Sequence, residues 1–163
     1  MSLDRFHEAQ ASCSAGFDTA LTEIRRGRKI SHWIWYIFPQ LAGLGHSSTA
    51  RHYAIRNFDE ARDFLRDPVL RPRFREIAAA VRDQLARGVD LEILISSHLD
   101  ALKLVSSLTL FRAAAGTLTH EGAAFDDLAT LCHSILAAAE SQGYSSCART
   151  LTQIGEESAD GST

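Results

Sequence analysis

Apolar residues recur along most of this chain every three or four positions, which is the spacing of one face of an α-helix. One such run, residues 17–24, stops at Gly27, and glycine is a residue type that commonly ends helices. Another run follows Asn57, which with Glu60 three residues later forms a plausible capping box. Runs of this kind predict helices near residues 6–10, 17–26, 46–54, 58–66, 72–87, 91–115 and 125–142, with a last turn or two at 151–154.

The pattern therefore predicts an all-α fold. We expect one compact helical bundle of about six to eight helices over residues 1–154, because 163 residues at 45% hydrophobic content suit a single core. Residues 155–163 contain no apolar anchor, and we expect a disordered C-terminal tail there.

Residues 31–45 depart from the helical pattern. Trp33, Trp35, Tyr36 and Phe38 lie within six positions, and so many neighbouring rings must be mostly buried. Their spacing shows neither strand alternation nor a full helical period, so a strand and a helical turn both remain open. We predict a short irregular aromatic segment.

A Gly-x-Gly pair follows the aromatic residues. Gly43 and Gly45 lead into the helix that Ser47 could begin, and a glycine-rich approach to a helix N-terminus can bind an anion. The alternative is a tight turn that allows close helix packing, and for a lone Gly-x-Gly this alternative is favoured.

Charge and cysteine usage narrow the function classes. The formal net charge is −3, so no global positive field attracts nucleic acid. The basic group Arg25, Arg26, Arg28 and Lys29 is more typical of a solvated helix end than of a nucleic-acid groove.

An apolar run of about 18 residues, as a membrane span needs, is not found, and neither is a signal-peptide core. The three cysteines are an odd number without metal-ligand spacing, so we predict reduced thiols in a cytoplasmic protein.

A second polar group lies on an otherwise apolar helix. Asp100, Lys103, Ser106 and Ser107 are spaced so that they follow one side of the segment 99–111. A helix that is apolar nearly all round should be central, so its polar side should meet other polar groups. Two interpretations remain open: a structural ion pair between Lys103 and Asp100, or one wall of a binding pocket.

These two segments carry a resemblance to a known family. The chain resembles the bacterial family of domain of unknown function 1810 over about residues 4–137. The longest matching stretches are Ser31-His32-Trp33-x-Trp35-x-Ile37-Phe38-Pro39-Gln40-Leu41 with Gly43-Leu44-Gly45, and Asp100-x-x-Lys103-Leu104-x-Ser106-Ser107-x-Thr109-Leu110-Phe111. The resemblance implies a compact, mainly helical domain and supplies no reaction. The chain departs from the family's usual C-terminal end, where it reads Gly143-Tyr144-Ser145-Ser146-Cys147.

Our leading hypothesis is that both segments line one pocket for a small polar or anionic metabolite, for example a nucleotide derivative stacked on tryptophan. The candidate binding residues are His32, Trp33, Trp35, Gln40, Gly43, Gly45, Ser47, Tyr53, Asp100, Lys103, Ser106 and Ser107. Catalysis remains open, with His32, Lys103, Asp100 and Ser106 as candidates and Asp100 as a group that could orient His32. The histidines lack metal-ligand spacing, so neither a metal nor a cofactor is predicted. The alternative hypothesis is a non-catalytic protein-interaction or regulatory module, and the sequence does not predict the oligomeric state.

Overall fold

A computed structural model describes residues 3–160 of the chain. Within these residues the fold is all-α, as predicted, with ten α-helices and one 3₁₀ turn. No β-strand forms in this range, and one isolated parallel bridge pairs Leu41 with Ile55. The helices are α1 Asp4–Gln10, α2 Phe17–Arg25, α3 Ile34–Ile37, α4 Ser48–Tyr53, α5 Phe58–Arg66, α6 Leu70–Ala86, α7 Leu91–Ile95, α8 His98–Gly116, α9 Ala123–Ser141 and α10 Ala148–Asp160, with the 3₁₀ turn at Thr119–Glu121.

Side-chain caps begin several helices where the sequence predicts them. Ser47 Oγ accepts a hydrogen bond from Ala50 N at 3.1 Å, and Asn57 Oδ1 accepts one from Glu60 N at 2.9 Å. These caps satisfy N–H groups that have no partner inside the helix. Because capping uses only neighbouring residues, the starts of α4 and α5 follow from local sequence.

Helix α8 is the centre of the fold. It packs most extensively against α9 and α5, and it also contacts α7, α10 and α3. Leu104, Leu108 and Phe111 on this helix are fully buried, which agrees with its nearly continuous apolar sequence. A corner at residues 96–97 divides the predicted helix 91–115 into α7 and α8: Ser96 has φ of 74°, in the left-handed region, and Ser97 caps α8 by accepting from Asp100 N at 3.0 Å.

The helix count is higher than the predicted six to eight. The additional helices are short: α3 contains four residues, and α7, which the sequence predicted as part of one helix over 91–115, contains five. Windows this short show no full helical period, so the count could not be read from the pattern. Helix α3 lies inside the irregular aromatic segment 31–45 and provides its single helical turn.

Residues 155–160 differ from the predicted disordered tail. Helix α10 continues through Asp160, and residues 161–163 lie outside the described residues. Two side chains of α10 bind earlier parts of the chain: Glu157 Oε2 accepts from Phe58 N at 2.8 Å, and Gln153 Nε2 donates to Ala42 O at 3.1 Å. Within 155–160, the hydrogen bond of Glu157 therefore joins the last turns of α10 to the start of α5.

None of the described helices combines the length and the apolar character that crossing a membrane requires.

Candidate functional site

Glu23 fixes the backbone at the start of the aromatic segment. Its carboxylate accepts hydrogen bonds from Ile30 N at 2.7 Å, Ser31 N at 2.8 Å, Ser31 Oγ at 2.7 Å and Trp33 Nε1 at 2.9 Å. Burial acts to raise the pKa of Glu23, but these hydrogen bonds outweigh burial and lower the pKa below its usual value. One charged group on α2 therefore holds residues 30–33 in place.

Two lysines share the carboxylate of Asp100. Lys29 is only 4% exposed, and its Nζ lies 3.0 Å from Asp100 Oδ2. Lys103 Nζ lies 3.6 Å from Asp100 Oδ1, and its side chain is 28% exposed. This cluster holds two positive charges and one negative charge. Because the buried Lys29 makes the shorter ion pair, the surplus positive charge lies at Lys103, the more accessible ammonium.

Trp35 lies beside this surplus charge. Lys103 Nζ is 5.1 Å from the centroid of the Trp35 ring, within the range of a cation–π contact. Trp35 Nε1 is buried, and it donates to no acceptor within the described part of the chain. A buried indole N–H normally has a partner, so this unpaired donor is an exception.

Trp35 and Tyr53 border two adjoining spaces, which together we call the Trp35–Tyr53 cleft. The outer space has a volume of about 610 Å³ and is open to solvent; its walls are His32, Trp35, Tyr36, Ser48, Thr49, His52 and Tyr53. The inner space has a volume of about 10 Å³, enough for one water-sized group. Its walls are Ile34, Trp35, Phe38, Gln40, Ala50, Tyr53, Ala54 and Lys103. None of these lining residues is acidic.

A close glycine contact shapes the wall of the inner space. A Cβ added to Gly45 would lie 2.6 Å from Ala50 Cβ and 3.3 Å from Gln40 Nε2, so only glycine allows this approach without displacement. Gly43 has φ of +95°, and its carbonyl oxygen faces Arg149 Nη2 on α10 at 3.5 Å. The Gly-x-Gly pair thus serves a tight turn, and Ser47 engages one of the first N–H groups of α4, that of Ala50.

The cleft contains some of the predicted binding residues but not all of them. His32, Trp35, Gln40, Tyr53 and Lys103 line it, and both sequence segments therefore contribute. The predicted residues that do not line it are Trp33, Gly43, Gly45, Ser47, Asp100, Ser106 and Ser107.

Trp33 and Ser107 are fully buried. The Trp33 indole N–H is committed to Glu23, and Lys29 Nζ lies 5.2 Å from its ring centroid. Ser107 Oγ has no hydrogen-bond partner in the range 3–160, and it lies one turn beyond Lys103 on α8. Trp33 therefore supports the site from within the core and does not form its wall.

Ser106 faces α10 instead of the cleft. Burial acts to raise the pKa of the Cys147 thiol, but its contacts with the hydroxyl of Ser106 and with the N–H groups of Thr150 and Arg149 outweigh burial and lower the pKa. Cys147 N in turn donates to Thr109 Oγ1 at 3.1 Å. Ser106 therefore belongs to the contact between α8 and α10. All three cysteines are free.

The predicted catalytic pairing of His32 with Asp100 does not form. Both oxygens of Asp100 face lysines, and His32 is exposed at the rim of the outer space. The one described hydrogen bond of His32 uses its backbone oxygen, which accepts from Tyr36 OH at 3.3 Å. Residues 3–160 contain no group of three or more His, Cys, Asp or Glu side chains arranged to hold a metal ion.

Sequence reasoning missed Lys29, Glu23, Tyr36 and His52 as parts of the site. Lys29 was assigned to a solvated basic group, whereas it is buried against Asp100 and Trp33. One signal of this role was present in the sequence: Lys29 lies directly between the end of a helix and the aromatic segment. Its burial depends on Asp100, which is distant in sequence, so a local pattern could not show it.

Comparisons with known proteins agree with the resemblance read from the two segments. A family model described as "Protein of unknown function (DUF1810)" matches residues 1–152. The crystal structure of the conserved hypothetical protein Rv1873 from Mycobacterium tuberculosis is similar, with 33% sequence identity and a TM-score of 0.78 over 94% of this chain and 96% of that one. Among curated proteins, none matches the chain.

Proposed function

This chain belongs to the DUF1810 family, and from that premise we propose that it binds a small anionic ligand in the Trp35–Tyr53 cleft. The observation that carries the proposal is the surplus positive charge of the Lys29, Asp100 and Lys103 cluster, which borders the inner space at Lys103. A ligand with negative charge would balance it at a site partly shielded from water, where such interactions are stronger than in bulk solvent.

Two further features support binding at this place. The cleft walls supply hydrogen-bond donors and aromatic rings but no acidic side chain. The rings of Tyr53 and His52 meet edge to face, with centroids 4.6 Å apart, and Tyr36 lies 5.1 Å from Tyr53. An aromatic wall next to a cation favours a ligand that combines a flat ring with an anionic group.

Binding is better supported than turnover. Of the candidate catalytic residues, Asp100 is occupied by two lysines, and Ser106 faces Cys147. A serine nucleophile would need a base within hydrogen-bond reach; Ser48 and His52 line the outer space one turn apart on α4, but no hydrogen bond joins their side chains in the described part of the chain. The proposal is therefore limited to ligand binding.

A thermal-shift screen of the full chain tests the proposal. Nucleotides, sugar phosphates and carboxylate metabolites would be screened against wild type and Lys103→Met. A ligand at about 100 times its dissociation constant should stabilise the folded state by roughly 2.7 kcal/mol, which raises the melting temperature by several degrees. We expect at least one anion to give this shift in wild type and to lose it in Lys103→Met.

Arg26→Met is the matched control. It also removes one positive charge, but Arg26 is exposed at the end of α2 and lines neither part of the cleft. The anion should stabilise this variant as it stabilises wild type. A shift that survives in Lys103→Met, or that disappears in both variants, would contradict binding at Lys103.

The alternative function, a non-catalytic interaction module, is favoured by one observation. Ile30, Ile93, Leu99 and Leu102 expose 75%, 60%, 68% and 43% of their surface near the corner between α7 and α8. Exposed apolar side chains that lie close together can mark an interface. A second copy of this chain is the partner we consider, because two exposed charges of opposite sign, Arg28 and Glu92, lie close to Ile30 and Ile93 in the sequence.

Sedimentation equilibrium tests this alternative. Under the interaction-module hypothesis, wild type should show a concentration-dependent mass that approaches a dimer, and Leu99→Asp should remain a monomer because a charge in an apolar interface is costly. A wild-type mass that stays monomeric at all concentrations would rule out self-association through this surface.

A further inference from the structure

The dimensions of the Trp35–Tyr53 cleft restrict the kind of anion that it can take. The argument rests on the proposed binding function and adds a ligand class to it. We propose that the ligand is a flat aromatic carboxylate: its ring occupies the outer space, and one carboxylate oxygen enters the inner space next to Lys103.

The inner space is too small for a bulky anionic group. Its volume of about 10 Å³ admits a group of about the size of one water molecule. A carboxylate attached to a ring is planar and can present a single oxygen along the plane of the ring. A phosphate is tetrahedral, so it is thicker than a ring in every orientation and would have to displace Trp35 or Tyr53, the two residues that border both spaces.

The inner walls match a carboxylate in hydrogen bonding. Lys103 lines the inner space and is the only charged residue among its walls. Its ammonium group is a donor, and an ionised carboxylate accepts hydrogen bonds at both oxygens without offering a donor. A neutral amide of the same shape would bring one N–H₂ group among donors and would leave the charge of Lys103 unbalanced.

The outer space matches the rest of such a molecule. Its volume of about 610 Å³ lies within the usual range of small-molecule sites. Trp35, Tyr53 and His52 provide ring faces and edges, whereas Ser48 and Thr49 provide hydroxyl groups at the rim. A ring system of one or two fused rings can therefore pack against the aromatic walls while its polar substituents reach the rim or solvent.

Titration calorimetry with three compounds that share one ring system tests the inference on the full chain. The compounds are 2-naphthoate, 2-naphthamide and 2-naphthyl phosphate. For wild type we expect 2-naphthoate to bind at least about tenfold more tightly than either of the other two, because only it combines the charge with a planar group. In Lys103→Met, the preference for 2-naphthoate over 2-naphthamide should disappear, and in Arg26→Met it should remain.

The outcomes separate the inference from the proposed function. If 2-naphthyl phosphate binds as tightly as 2-naphthoate, and both lose affinity in Lys103→Met, the carboxylate class is wrong and anion binding at Lys103 stands. If no anion binds wild type, or if binding does not depend on Lys103, the carboxylate class and the proposed anion binding are both wrong. The comparison of the three compounds in wild type needs no variant, so it decides the ligand class even where Lys103→Met is too unstable to titrate.

Discussion

Glu23→Ala is expected to lower the free energy of unfolding by about 3 to 5 kcal/mol, a large effect for one residue on α2. The carboxylate of Glu23 accepts four hydrogen bonds, one of them from the buried indole of Trp33. Its removal leaves these donors without an acceptor, and each buried unpaired donor costs about 1 to 3 kcal/mol. The midpoint and slope of urea denaturation measure the change.

Glu8→Ala is the matched control for this variant. It also removes a glutamate from a helix, but Glu8 is exposed on α1, so its loss should change stability by less than about 0.5 kcal/mol. Equal effects of the two substitutions would show that Glu23 does not hold residues 30–33 in place.

The same carboxylate should make stability depend on acid pH. Hydrogen bonds hold the pKa of Glu23 below its ordinary value of 4.5, so the unfolded chain binds the proton more readily. The contribution of Glu23 is therefore fully present above pH 4.5 and is lost as the pH falls through the lower pKa of the folded state. Wild type should lose more stability between neutral pH and about pH 3 than Glu23→Gln, when both are unfolded with urea across this range.

Asp67 also contributes to the acid sensitivity of both proteins. Burial acts to raise the pKa of Asp67, but hydrogen bonds from Leu70 N and Val69 N and the contact with His7 lower it. Because this contribution is common to wild type and Glu23→Gln, the difference between their pH profiles reports on Glu23. Parallel profiles would contradict the role of Glu23.

Local sequence predicted the features that depend on neighbouring residues. The all-α class and the caps at Ser47 and Asn57 follow from periodicity and capping, which involve residues within one or two turns. Helix α6 shows the limit of such signals: it begins at Leu70 rather than at Pro72, because Asp67 Oδ1 accepts from Leu70 N at 2.9 Å and Pro72 is tolerated in the first turn.

The candidate site was predicted only in part, because it depends on contacts between residues that are distant in sequence. The importance of Trp35 and Lys103 followed from their unusual surroundings in sequence. In the structure, Lys103 Nζ lies 5.1 Å from the centroid of the Trp35 ring. The direction in which a side chain points from a helix or an irregular segment depends on distant packing. That is why Trp33 was assigned to a pocket wall although it binds Glu23, and why Lys29 was assigned to solvent although it binds Asp100.

Asp100→Ala is expected to destabilise the fold by about 3 to 5 kcal/mol, the effect of removing one partner from a buried ion pair. Lys29 is 4% exposed, and Asp100 is its partner at 3.0 Å, so the substitution leaves a buried ammonium without a counter-charge. Lys103→Met should cost much less, about 1 kcal/mol or below, because Lys103 is more exposed and its ion pair is longer. Urea denaturation of both variants measures the difference.

Two further variants separate the ion pair from other roles of Asp100. Asp126→Ala removes an exposed acidic residue from the first turn of α9, and Asp100→Ala removes an acidic residue from the first turn of α8. Asp126→Ala therefore measures the contribution of the helix dipole alone, which should be about 0.3 to 1 kcal/mol. In Asp100→Leu/Lys29→Met, both buried charges are absent, and most of the stability lost in Asp100→Ala should return. If the double variant is less stable than Asp100→Ala, the cost does not come from an unpaired Lys29, and the assignment of the surplus charge to Lys103 would lose its basis.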